Sequence, residues 1–171
     1  EFNSTTFSVN GGNTNIFIDD VSVIHSTGGG GSACADTTTF AGLSVAIPDD
    51  DPLGVTDSQV ISGVAGTLGV DVQLKSVCFN IEHTWVGDLI VTLIAPNGTQ
   101  IVLTDRPGVP TTLAGCDGDN MSVCVDVGIG NEMENVCGNL PAIAGSYTAA
   151  NGSNLSAINA AGGPANGTWQ L

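Results

Sequence analysis

Residues Val77 to Thr104 read VCFNIEHTWVGDLIVTLIAPNGTQIVLT, and this stretch decides the fold. Leu89 to Ala95 and Thr99 to Thr104 are runs of Ile, Val, Leu and Thr on either side of Pro96-Asn97-Gly98. Proline pre-sets φ and Asn-Gly accepts positive φ, so the pattern predicts two antiparallel strands joined by a tight turn. Upstream, Val70, Val72 and Leu74 alternate with polar residues, and so do Val77, Phe79 and Ile81. The change of phase near Lys75-Ser76 predicts a bulge in one long strand with a core face. Working outward, further strands are expected near 43–47, 59–64, 70–82, 88–95, 99–105, 121–127, 143–148 and 167–171. Gly, Pro, Asn and Asp recur between these runs and helical periodicity is almost absent, which points to an all-β sandwich of about eight strands. Trp169 is expected in its core.

The words HTWVGDLIVTLIAPNGTQIVL, together with GTWQL at 167–171, resemble the P domain, also called Homo B, that follows the catalytic domain in subtilisin-like proprotein convertases and many secreted bacterial proteases. The resemblance covers roughly residues 45–171 and implies a jelly-roll-like sandwich. It also implies a role beside another domain, since in the convertases this module packs on the protease and supports its folding. In the family pattern the GTW segment is followed by a further closing strand. The expectation is therefore a sandwich at 34–171 without that strand, preceded by a Gly-rich linker at 28–33 and a β-prone tail at 1–27. NIFIDDVSVIH at 15–25 resembles the closing strand of the jelly-roll modules found beside such domains. The tail reads equally as an edge strand, as the end of a neighbouring domain or as a strand donated to another molecule.

Composition bounds the function. Seventeen acids against Lys75 and Arg106 give a net charge of −15, which repels nucleic acid phosphates and anionic membranes. No apolar run reaches the roughly 20 residues of a membrane span, and Glu1-Phe2-Asn3 does not open a signal peptide. A chain so poor in cations holds its carboxylates apart by solvation or by bound metal. Cysteines at 34, 78, 116, 124 and 137 show no zinc spacing and read as disulfides formed outside the cytoplasm, at the cell surface or beyond it. The resemblance implies a Cys116–Cys137 bridge. Cys34, Cys78 and Cys124 stay unassigned, and the odd count leaves one thiol free or bonded elsewhere.

No nucleophile elbow, zincin motif, P-loop or dinucleotide fingerprint is present, and only His25 and His83 could serve as a base near neutral pH. His25 abuts the linker and His83 reads as a structural residue at a strand end, so the chain is expected not to be an enzyme.

The acidic turn Pro48-Asp49-Asp50-Asp51-Pro52-Leu53-Gly54 gathers carboxylates as Ca²⁺ requires, with its roughly six to eight oxygens. Asp57 follows closely. The resemblance implies calcium at Asp49 and Asp51, and Glu82 and Asp88 are expected at the same end of the sandwich. The competing reading is a solvated turn whose side chains bond nearby N–H groups. A second acidic group, Asp117, Asp119, Asp126, Glu132 and Glu134, lies between Cys116 and Cys137, and reads as a metal site or a pinned surface loop. Sequons start at Asn3, Asn97, Asn120, Asn151, Asn154 and Asn166.

The reading is a noncatalytic, calcium-stabilised accessory module of a secreted or cell-surface protein, with other domains of that protein as partners. The alternative is a self-assembling or adhesive subunit that binds copies of itself by strand exchange and shared calcium. A carbohydrate-binding module comes third, with Trp85 and Tyr147 as its aromatic candidates.

Overall fold

A computed structural model describes residues 2–4, 15–25, 34–40, 45–48, 51–109 and 111–171; for 2–4, 15–25 and 34–36 it describes the backbone alone. The strands are β1 (Phe2–Ser4), β2 (Asn15–His25), β3 (Cys34–Thr38), β4 (Val45–Ala46), β5 (Ser58–Ile61), β6 (Val72–Glu82), β7 (Leu89–Ile94), β8 (Gln100–Asp105), β9 (Met121–Asp126), β10 (Ile143–Tyr147) and β11 (Gly167–Gln170). One sheet runs β1-β7-β11-β5 with β8 on the other side of β7, and the second runs β10-β9-β6-β2-β3 with β4 beside β2. The fold is all-β, and the eight strands expected between residues 43 and 171 are β4 to β11.

The packing follows the sequence alternation. Leu89, Val91 and Leu93 of β7, Ile101 and Leu103 of β8, and Val72, Leu74, Val77, Phe79 and Ile81 of β6 are buried, and together with Met121, Val123, Val125 and Trp169 they fill the space between the sheets. The phase change in β6 is a register shift. Ser22 pairs with Ser76 and Val23 with Leu74, so Lys75 is the extra residue, and the buried positions pass from Leu74 to Val77. At the β7–β8 turn Ala95 N–H donates to Thr99 O (2.9 Å), Thr99 N–H donates to Asn97 Oδ1 (2.9 Å), and Gly98 adopts φ +84°. That conformation is the reason the turn needs glycine.

Three features go beyond the expected pattern. The segment expected as a tail supplies β1 and β2: β1 pairs antiparallel with β7, and β2 lies between β6 and β3. Thr5 to Val9 and the glycine linker lie outside the described residues. β10 joins β9 in parallel. A helix, α1 (Ser156–Ala161), forms before β11 and ends at Gly162 with φ +69°. It is docked by a side chain acting as strand backbone. Leu74 N–H donates to Asn159 Oδ1 (2.8 Å) and Asn159 Nδ2 donates to Leu74 O (2.9 Å). β9 ends opposite Ser76, so the Asn159 amide continues the ladder along β6 where β9 stops. Asn166 repeats the device on Val64, with bonds of 2.9 and 2.6 Å, just beyond the Gly167–Ile61 pair.

Candidate functional site: the loop junction around Cys116 and Cys137

β6 is followed by His83-Thr84-Trp85, and a single 3-10 turn, Val86–Asp88, leads into β7. The segment 106–119 folds over that turn. His83 N–H donates to Asn120 Oδ1 (2.9 Å) while Asn120 N–H donates to His83 O (2.8 Å). Trp85 Nε1 donates to Ala114 O (2.7 Å), Val86 N–H to Gly118 O (3.1 Å) and Gly87 N–H to Cys116 O (2.9 Å). The backbones approach so closely that only glycine fits. A Cβ on Gly87 would stand 2.3 Å from Cys116 N, one on Gly108 would stand 2.4 Å from the same atom, and one on Gly115 would stand 2.8 Å from Gly87 Cα. The Cys116–Cys137 disulfide ties this junction to the segment leading into β10. The WVGD words are thus a packing instruction.

His83 is 6 % exposed, and its Nδ1 accepts the Trp85 N–H at 3.0 Å. That lone pair is engaged in holding the turn, so the imidazole positions backbone. Glu134 lies beneath the junction, 5 % exposed, where its Oε1 accepts Asp105 N–H at 3.0 Å and its Oε2 has no hydrogen-bond partner. Burial outweighs that hydrogen bond and raises the carboxyl above its ordinary 4.5. A raised folded pKa means that the native state keeps a proton which the unfolded chain has already lost. This contribution to stability is therefore present at low pH and disappears as pH rises from 4.5 through the folded pKa. Glu134→Gln keeps the Oε1 acceptor and has no proton to lose. Denaturant melts across pH should show the variant gaining on the wild type as pH rises through that interval. A difference between them that does not change with pH would contradict the assignment.

Of the residues expected to hold calcium, Asp49 and Asp50 lie outside the described residues. Asp51 Oδ1 accepts the Leu53 N–H at 2.9 Å, which closes its own turn. Asp57 is buried, its carboxylate accepts Gln59 Nε2 at 3.0 and 3.1 Å, and it faces Leu93 and Leu171. Leu93 stands five residues along β7 from Asp88, about 16 Å at ~3.3 Å per strand residue. Asp57 and Asp88 therefore do not share a site. Glu82 is exposed at the end of β6, Asp88 is buried in the 3-10 turn, and among the described residues no three His, Cys, Asp or Glu side chains form a metal cluster. Among the described residues no donor set forms a Ca²⁺ shell, so that reading rests on the sequence Asp49-Asp50-Asp51. The second acidic group is dispersed as well. Asp117 and Asp119 are exposed, Asp126 ends β9, Glu134 faces β8, and Glu132 accepts Gly152 N–H at 2.6 Å.

A second disulfide joins Cys78 to Cys124, which stand directly opposite each other on β6 and β9 with Cα atoms 3.9 Å apart. The sequence alone leaves these residues unassigned because their pairing depends on strand register. Four sequon asparagines donate from Nδ2 within the chain: Asn97 to Gly162 O, Asn151 to Asp105 Oδ2, Asn154 to Thr148 Oγ1 and Asn166 to Val64 O. Their amides serve the fold directly.

Comparison with known proteins finds a partial match over the same elements. The model of the proprotein convertase P-domain matches residues 72–124, from the first residue of β6 into β9. The leupeptin-inactivating enzyme 1 of Streptomyces exfoliatus is 38 % identical over 64 residues, which is 37 % of this chain and 14 % of that protein. The chain thus spans a small part of that relative. No solved structure matches at a significant level. The match takes in β6 to β8 and the start of β9, and it contains the words at 83–103 that resemble the P domain.

Proposed function

We propose that the chain is a noncatalytic accessory module of a secreted or cell-surface protein, covalently joined to a catalytic domain that it helps to fold and hold. The observation that carries this reading is the use made of the signature. His83 Nδ1, Trp85 Nε1 and Gly87 are spent on locking the loop junction, in the segment that matches the P-domain. The two disulfides suit an oxidising compartment, and among the described residues no helix is long and apolar enough to cross a membrane. β1 and β2 pair within the sheets of their own chain.

Calcium belongs to the same proposal, held at the turn 49–51, where three successive carboxylates lie between two prolines in a chain of net charge −15. The test combines two assays on the purified chain. It should hydrolyse neither peptide nor glycoside substrates, and a chelator should lower its melting temperature by removing a binding contribution of about 2.7 kcal/mol at a hundredfold excess of calcium over Kd. Asp51→Ala should erase that shift while Asp36→Ala preserves it. Turnover that vanishes in a folded His83→Ala variant would overturn the noncatalytic reading. Superimposable melts in calcium and chelator would remove calcium alone.

A further inference from the structure

The chain carries an open groove of about 700 Å³ that the loop junction does not use. It lies on the far side of the 3-10 turn Met133–Asn135, bounded by the segments 129–136 and 147–154. The volume falls within the range of ligand sites, roughly 300–1,000 Å³. The lining has a consistent chemistry. Tyr147 packs against the core and lines the groove, with its hydroxyl already donated to Ala144 O at 2.8 Å, so the ring is fixed before any ligand arrives. Glu132 is held by Gly152 N–H at 2.6 Å, and the wall is joined to β10 by Thr148 N–H donating to Asn131 O at 2.8 Å. The side-chain amides of Asn131 and Asn135 are exposed at the groove, and neither makes a hydrogen bond within the described residues.

We infer that this groove binds a neutral saccharide. Each sugar hydroxyl donates and accepts, which suits primary amides that do both, and a carboxylate fixed by a backbone N–H accepts from a second hydroxyl. The apolar C–H face of a pyranose ring suits an immobilised tyrosine ring, an apolar body of fixed orientation. No Lys or Arg lines the groove, and the field of a chain of net charge −15 repels anionic sugars and phosphates. A basic peptide would meet that field favourably, but the lining offers it only one carboxylate.

The experiment is a calorimetric titration of the full chain with hexasaccharides of glucose, xylose and N-acetylglucosamine, beside a lysine-rich peptide and a sulfated hexasaccharide. At least one neutral sugar should bind at millimolar concentration or below. Asn135→Ala, at an exposed side chain with no hydrogen bond to lose, and Tyr147→Ala should each weaken it about tenfold, equal to about 1.4 kcal/mol, while Tyr147→Phe retains it. No binding of any neutral sugar, binding unchanged in Asn135→Ala, or a preference for the lysine-rich peptide or the sulfated sugar would overturn the proposal. This outcome is independent of the hydrolysis assay, so the two readings fail separately.

Discussion

Gly87→Ala is expected to destabilise the fold by about 3 kcal/mol, at the upper end of what overpacking costs. The added Cβ would stand 2.3 Å from Cys116 N and 2.8 Å from both Gly115 C and Gly115 Cα, and all three atoms are backbone, so no side chain can rotate away. Relief requires moving the 106–119 segment. That segment is held by the Cys116–Cys137 disulfide and by Gly87 N–H donating to Cys116 O, so displacement also strains the junction bonds around it. For a chain of this size the loss corresponds to a fall in melting temperature of about 6–12 °C. Gly130→Ala is the matched control, since a Cβ there meets nothing within 4 Å and its φ is not in the left-handed region. It should stay within about 0.5 kcal/mol of the wild type. Similar melts for Gly87→Ala and Gly130→Ala would show that the close approach at Gly87 does not hold in solution.

Asn159→Ala should cost about 2–4 kcal/mol although it removes no core hydrophobe. Leu74 is fully buried, and both its N–H and its C=O end on the Asn159 amide, so the substitution strands two backbone groups at about 1–3 kcal/mol each before relaxation. Asn159→Asp should not rescue it. The carboxylate keeps an acceptor for Leu74 N–H but sets a second oxygen against Leu74 O. Asn166→Ala removes the equivalent pair on Val64, which is open to water, and should cost about 1 kcal/mol. Equal losses at positions 159 and 166 would argue against the burial argument. Amide exchange at Leu74 would report the local opening directly.

The contrast between these residues explains what the sequence made legible. β6 and β9 could be read from period-two apolar residues and β7 and β8 from runs of Ile, Val, Leu and Thr on either side of Pro96-Asn97-Gly98, and the bulge at Lys75 announces itself as a break in the period of β6. The loop junction is built from determinants that leave no periodic trace. Gly87, Gly108 and Gly115 matter through backbone separations set by distant parts of the chain, and the Asn159 amide meets Leu74 across 85 positions of sequence. The Cys78–Cys124 pair becomes visible only after Val77 is set opposite Val125 and Phe79 opposite Val123. The proposed calcium ligands show the opposite failure. Asp57 and Asp88 both flank strands, but flanking a strand does not say at which end of the sandwich the residue falls, and Asp57 lies beside Leu93, near the end of β7 away from Asp88. Glu134 was grouped with an acidic loop by proximity in sequence. Its burial follows from Asp105, 29 residues away, offering its N–H at the end of β8.

The fold requires β6 and β9 to lie in register and the 106–119 segment to be fastened to the segment before β10. Non-reducing peptide mapping of the purified chain tests both at once. The predicted result is Cys78 joined to Cys124 and Cys116 joined to Cys137, with Cys34 in neither bridge. Recovery of Cys34 bonded to any of these four, or of Cys78 bonded to Cys116, would contradict it.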